Sequence, residues 1–193
     1  MSFHRGVYRF HVAPGREDRL KEALDENMIM IGWSEAEGLL DCGISNQERK
    51  NIIHDTYYFD ELDQRKAGHA AGCMKRFICE MDIDDYVLVS VLGHRYFYTA
   101  KVIPFDEEES DTFVGDDKVR YYFNKVKEGT AYRRKVSWAK KVKDGIPWKL
   151  SHKELAKNIR QKFYIETTIL DISDHIDEIK KVIQKHHLIF DEK

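Results

Sequence analysis

The chain has no apolar run approaching the ~20 residues that a bilayer-spanning helix requires. Its first residues, MSFHRGVYRF, lack the apolar stretch and small-residue cleavage site of a secretory leader. Both absences point to a protein of the cytoplasm, and three cysteines, an odd number, fit that compartment. Catalytic signatures are missing too: there is no GxxxxGK(S/T) phosphate loop, no GxGxxG behind a strand, no GxSxG elbow and no HExxH. No internal repeat, low-complexity linker or composition break divides the chain. A single domain over residues 1–193 is expected, with a helix at about 174–187 near its C-terminal end.

A hydrophobic content of 42% beside 34% charged residues describes a globular domain able to bury a core. The formal net charge of -2 conceals an uneven distribution. Residues 118–162 hold fifteen Lys or Arg against three acids (Glu128, Asp144, Glu154), a local balance of +12, so the remainder is strongly acidic. One cationic region in an otherwise acidic chain is the footprint of a phosphate-backbone binder. The plainer reading is a solvated lysine-rich surface.

Periodicity supplies the elements. GVYRFHV (residues 6–12) reads as a first strand ended by Pro14 and Gly15, and residues 16–28 as an amphipathic helix carrying Leu20, Ala23, Leu24 and Met28, with Glu17 and Asp18 in its first turn. MIMIGW reads as a buried strand. Short helices are expected near residues 46–54 and across 60–79. Residues 86–91 and 95–103 form a hairpin signal around Gly93 and His94, closed by Pro104. Residues 132–139 predict a strand that places Tyr132, Arg134, Val136 and Trp138 on one face. Asp144 and Gly145 mark a turn. Ser151 and Glu154 have capping-box spacing, with Leu150 and Leu155 as a hydrophobic staple. Residues 164–172 read as a last strand, and Ile176, Ile179 and Ile183 form the apolar stripe of a terminal helix. So many consecutive strands argue against a doubly wound parallel sheet. The expected fold is α+β, a small, strongly bent β-barrel with helices on its outside, since closure removes exposed strand edges.

Few residues suggest catalysis. Glu178, Ile179 and Lys180 make an ExK triplet of the kind that holds a metal in nucleases, yet they lie in a helical pattern rather than on a strand. His69, Cys73 and Cys79, with His54 or Cys42, have the residue types of a zinc site without its paired spacing. Neither a metal nor a cofactor is expected. The acidic run at residues 106–111 reads as a surface loop that could meet a basic protein partner. The aromatics are more informative: Tyr96, Phe97 and Tyr98 put rings on both faces of one strand, and Trp33, Trp138 and Trp148 adjoin polar or basic residues. Rings flanked by cations make stacking platforms for bases, although core packing competes for each of them.

The order of these segments resembles a family. A helix followed by Ile31-Gly32-Trp33, then Lys75-Arg76-Phe77, MDIDDYVLV, FYTAKV, YRRKVSWAKKV and IETTILDIS, together spanning about residues 5–172, is similar to the EVE-like members of the PUA superfamily, modules of prokaryotic restriction and defence proteins that read modified bases. The resemblance implies a PUA-like bent barrel whose pocket receives one base between aromatic side chains. By match to its motifs it offers Trp33, Trp138, Tyr96 and Tyr98 as the base pocket. Arg133, Arg134 and Lys135 become phosphate contacts, joined by Lys140 and Lys141 from the same basic run. The family's Gly-Asp turn is here Asp84-Asp85, so Asp84 must take the left-handed conformation that glycine adopts more easily. The function so implied is non-enzymatic recognition of a modified base, in DNA rather than RNA, alone or beside a separate nuclease or other defence protein. Flipping a base costs a few kcal/mol, so stacking on two faces, edge hydrogen bonds and phosphate contacts must act together. A protein-interaction module or inhibitor, and a nuclease with an unrecognised site, are the alternatives.

Overall fold

The computed structural model describes residues 5–11, 19–33, 35–58, 60, 63–91, 95–104, 122–123, 132–165 and 167–191. In chain order these give β1 (Val7–Phe10), α1 (Leu20–Asp25), β2 (Met28–Ile31), α2 (Asn46–Tyr57) and α3 (Gln64–Lys75), the last running into a π-helical turn, Arg76–Glu80. Then come β3 (Tyr86–Ser90), β4 (Tyr96–Val102), β5 (Tyr122–Phe123), β6 (Tyr132–Trp138), β7 (Lys140–Lys141), β8 (Lys149–Ser151), α4 (Lys157–Lys162), β9 (Ile169–Asp171), α5 (Ile176–Lys185) and β10 (Leu188–Ile189). The first turn expected of the helix at 16–28, the Gly93-His94 turn, the acidic run at 106–111 and the basic residues 118–120 and 125–127 lie outside the described residues.

The fold is α+β, as expected, but the described strands curl into an open half-barrel rather than a closed one. The sheet runs β2-β6-β4-β3-β1-β9, with β5 on β6 and β8 on β4, while β7 and β10 form a separate ribbon. No ladder joins β2 to β9 among the described residues. The β3–β4 hairpin is antiparallel, with Val87 opposite Ala100 and Val89 opposite Tyr98. β1, however, lies parallel to β3. A parallel pair needs a long crossover, and here residues 11–85 supply it with α1, β2, α2 and α3.

Alternation along the strands explains why helices lie on both faces of the sheet. Tyr8, Phe10, Val87, Val89, Ala100 and Trp138 join one apolar cluster with Ala67, Ala70, Met74 and Phe77 of α3 and its π turn. Val7, Tyr86, Leu88, Phe97 and Leu150 join a second with Ile159 of α4 and Ile179, Val182 and Ile183 of α5. A strand covered on both sides has no polar face, which is why YVLVS is buried throughout. Helices, rather than closure of the sheet, hide its apolar faces.

Local chemistry sets several element ends. Ser45 and Glu48 form a capping box on α2: Ser45 Oγ accepts from the Glu48 amide, and Glu48 accepts from the Ser45 amide and is held below its ordinary pKa by these bonds. The box expected at Ser151 and Glu154 does not form. Ser151 Oγ accepts instead from the Lys153 amide, and His152–Glu154 is a single 3-10 turn. Glu154 turns to α5, where Lys185 Nζ donates to it at 2.7 Å and His186 Nε2 lies at 3.0 Å. Leu150 and Leu155 are both buried in the second cluster. The strand expected at residues 164–172 is confined to Ile169–Asp171, because the turn that closes α4 runs on to Ile165, whose amide donates to the Lys162 carbonyl. Asp84 takes φ +74° and is paired with Lys101 at 2.5 Å, so the turn before β3 is made as expected of an aspartate in glycine's place.

Cys42 and Cys79 form a disulfide with Cα atoms 5.6 Å apart, leaving Cys73 as a buried thiol. The bond ties the loop before α2 to the π turn. Arg49, fully buried between them, donates to the Asp41 carbonyl at 2.7 Å. A bonded pair withdraws the support that unpaired cysteines lent to a reducing compartment. No helix among the described residues is long and apolar enough to cross a membrane. Thiol titration of the unfolded protein should find one reactive thiol before reduction and three after it.

Candidate functional site

β6 carries the densest basic run, and its alternation is as expected: Tyr132, Arg134, Val136 and Trp138 share a face. That face is the core. Arg134 is 2% exposed, donates to the Ile78 carbonyl at 3.3 Å and lies over the Phe77 ring at 5.6 Å. Arg133, on the opposite face, is also 2% exposed; its Nη2 donates to Glu22 Oε1 at 2.8 Å and its Nη1 to Glu26 Oε2. Both carboxylates belong to α1 or its C-terminal end, so the pair fastens that helix across β2 onto the sheet. Burial and internal partners thus occupy both of the guanidiniums expected to contact phosphates. Lys135 is half-buried, and its carbonyl accepts from the Ile103 amide at 3.1 Å.

Trp138, expected in the base pocket, lies in the core. Its indole is 3% exposed, Nε1 donates to the Ala23 carbonyl at 3.3 Å, and Tyr98 meets it edge-on at 6.1 Å. Trp33 differs. It follows the buried Gly32, takes φ +69°, and is partly exposed while resting on the same cluster as Trp138 and Tyr98. A bulky side chain at positive φ is a steric outlier costing roughly 1–3 kcal/mol. Such strain persists only where the surroundings hold it. Here the Trp33 carbonyl accepts from the Ala36 amide, and the Glu35 amide donates to the Tyr57 hydroxyl at 2.6 Å.

Exposed cations and rings meet further along the chain. β4 is longer than the β6 ladder beside it: β6 covers its residues 100–102, and β8 covers 96–98. Between β6 and β8 the chain leaves the sheet and returns, with the Ala139 amide donating to the Thr99 carbonyl and the Trp148 amide to the Ala139 carbonyl, both at 2.8 Å. The excursion is a hairpin, KKVKDGIPW. Lys141 Nζ stands 3.6 Å from the centre of the Trp148 ring, and Lys149 Nζ stands 4.8 Å from that of Tyr96. Tyr96 is 42% exposed, the most open of the four expected pocket rings. Lys140 is pinned by Asp191, at 2.5 Å. Trp148, Lys143 and Lys149 were not among the expected site residues. The sequence signal for them was a tryptophan just beyond the Asp144-Gly145 turn, in a run whose acids are few.

The residues considered for zinc belong elsewhere. The Cys42–Cys79 disulfide removes two of those thiols from any ligand set, and among the described residues no group of three or more His, Cys, Asp or Glu side chains is placed to hold a metal. Cys73 and His69, one helical turn apart on α3, form a hydrogen-bonded pair. Cys73 Sγ also lies 3.4 Å from Thr167 Oγ1, and Arg9 Nη1 donates to the Thr167 carbonyl at 2.6 Å. Burial pushes the Cys73 thiol up, but the bonds to His69, Thr167 and the Ile169 amide outweigh it and bring the thiol down to about 7. Burial lowers the Arg9 guanidinium to about 10. Glu178 of the ExK triplet lies on α5, as its helical pattern requires, 3.6 Å from His175 Nδ1.

No protein-family model matches the chain, and no curated protein matches it significantly.

The Cys73 cluster carries a pH signature. A thiol lowered in the fold adds stability as pH rises from about 7 through its ordinary range, and that gain is lost as pH falls through the folded value. His69, raised by its bond to Cys73, contributes in the opposite sense, its share lost as pH rises through its folded value. The ultraviolet absorbance of the Cys73 thiolate in the folded protein should therefore rise with a midpoint near about 7, and Cys73→Ser should abolish that rise. For the buried ion pair, Arg133→Ala should cost about 3 kcal/mol, the low end for breaking such a pair because Glu26 keeps contact with solvent, and should leave the slope of the melt unchanged.

Proposed function

We propose that the protein is a non-enzymatic nucleic-acid-binding module that reads a modified base in DNA. The observation that carries the reading is the pairing of cations with rings where β4 meets β8 and the hairpin: Lys149 over the exposed Tyr96 and Lys141 over the half-buried Trp148. A ring with an ammonium beside it offers a base both a stacking surface and a charge near the phosphate that the base carries. Trp33, held at positive φ and partly exposed on the cluster that Tyr98 also borders, supplies a second aromatic position. The order of segments, similar to that of the EVE-like PUA-superfamily modules, supports base recognition over general backbone binding.

The division of labour differs from the one the sequence suggests. Arg133 and Arg134 hold the fold, and Lys141, Lys143 and Lys149 meet phosphates. Lysine suits that task as a mobile point charge, whereas the planar arginine fork suits the fixed, buried pairings it makes here. A DNA partner fits the cytoplasm expected from the sequence, where glutathione can open the Cys42–Cys79 bond, so the single-thiol count belongs to the oxidised protein. Cleavage or signalling then falls to a separate nuclease or other defence protein.

Fluorescence anisotropy with modified and unmodified oligonucleotides tests the reading. Affinity should fall linearly on a log-log plot against salt, and Lys141→Ala with Lys149→Ala should reduce the slope by about two for duplex DNA. Tyr96→Ala should cost about 1–3 kcal/mol if one base stacks there. Binding indifferent to salt, or no binding to any polynucleotide, would overturn it.

A further inference from the structure

The hairpin between β6 and β8 has an unusual tip. Val142 and Ile146 are 71% and 64% exposed, the first and third most open of the large apolar side chains described. They flank a tight turn in which the amides of Asp144 and Gly145 both reach back to the Lys141 carbonyl, at 3.1 and 3.3 Å, and Gly145 takes φ +65°. Below the tip the stem is braced. Lys140 bridges to Pro147, β10 pairs along β7, Lys140 Nζ binds Asp191, and the Asp191 amide donates to Ser137 Oγ at 2.8 Å. Two aliphatic side chains are thus held out in water on a rigid stalk, with Lys141, Lys143 and Lys149 near them and Asp144 as the one acid of the loop.

We infer that this hairpin is a wedge for duplex nucleic acid, in which Val142 and Ile146 enter between base pairs while the surrounding lysines engage the phosphates. The inference rests on the nucleic-acid reading above and assigns the substrate as double-stranded. Charge complementarity selects a polyanion, and the side-chain chemistry selects a duplex. Valine and isoleucine have no flat face on which a single-stranded base would stack; that role belongs to Tyr96 and Trp148. Aliphatic side chains gain most where a base stack is opened, because they fill the gap and replace part of the lost stacking contact. The same insertion leaves a base displaced from the duplex close to the rings beside the hairpin.

A short DNA duplex containing 2-aminopurine, and its single strand, provide the test, with anisotropy reporting affinity and 2-aminopurine emission reporting unstacking. Wild-type protein should raise the emission of the duplex on binding. Val142→Ser with Ile146→Ser, both exposed and so expected to fold normally by circular dichroism, should abolish that rise and weaken duplex binding ~10-fold or more, while single-strand affinity stays within ~2-fold. Lys141→Ala with Lys149→Ala should weaken both substrates and leave the emission of whatever duplex is bound raised. Duplex binding without an emission rise, or an unchanged rise in the tip variant, overturns the wedge and leaves the nucleic-acid reading standing. Failure of the wild type to bind either strand form overturns both. Tip-dependent binding to phosphatidylcholine/phosphatidylserine vesicles in place of DNA would also overturn both and reassign the hairpin to a membrane surface.

Discussion

The outer edge of β4 governs what the molecule exposes. A seven-residue strand leaves backbone donors and acceptors to satisfy along its whole length, and β6 reaches only its C-terminal part. β8 must cover the rest, and the chain between β6 and β8 has to leave the sheet and come back. The hairpin with its lysines, its tryptophan and its apolar tip is the product of that detour. Had β6 run the full length of β4, its register would set residues 140–142 opposite 98–96, and Lys140 and Lys141 would lie along a covered strand.

Charge in a sequence is not charge on a surface, and β6 shows why. Arg133, Arg134 and Lys135 are adjacent in the chain, yet the strand sends alternate residues to opposite faces and both faces are covered. A guanidinium in that position must be satisfied internally, and Glu22, Glu26 and the Ile78 carbonyl do so. The acids that neutralise Arg133 come from about 110 residues earlier, outside any window over which a local charge balance can be counted. Among the described residues of 118–162 the exposed cations are accordingly fewer than the sequence count, and they are lysines: Lys143, Lys149, Lys153 and Lys157.

Elements that depend on near neighbours were legible. The β3–β4 hairpin follows from YVLVS and YFYTAKV, the stripe of α5 from Ile176, Ile179 and Ile183, and the left-handed Asp84 from the turn that must precede β3. α2 was legible as a helix, though its capping box at Ser45 and Glu48 went unread while the same spacing at Ser151 and Glu154 was read. The two pairs differ in what competes for the glutamate: Lys185 and His186 are brought within 3.0 Å of Glu154 by the docking of α5, and nothing comparable draws Glu48 away. The parallel pairing of β1 with β3 and the Cys42–Cys79 bond were not legible, since each joins segments by a contact that leaves no periodic trace.

Of the candidate site, residue type was present in the sequence and accessibility was not. Aromatic and basic side chains could be named as suited to bases and phosphates because their chemistry is intrinsic. Whether Trp138 closes the core, Trp33 stands strained at its edge or Tyr96 opens to solvent beside Lys149 depends on which strand lies alongside and which helix lies above. Local order along the chain sets the periodicity, the caps and the turns, which involve residues only a few positions apart. Exposure, pairing and the placing of charge arise from long-range packing, and for that reason they belong to the fold as a whole.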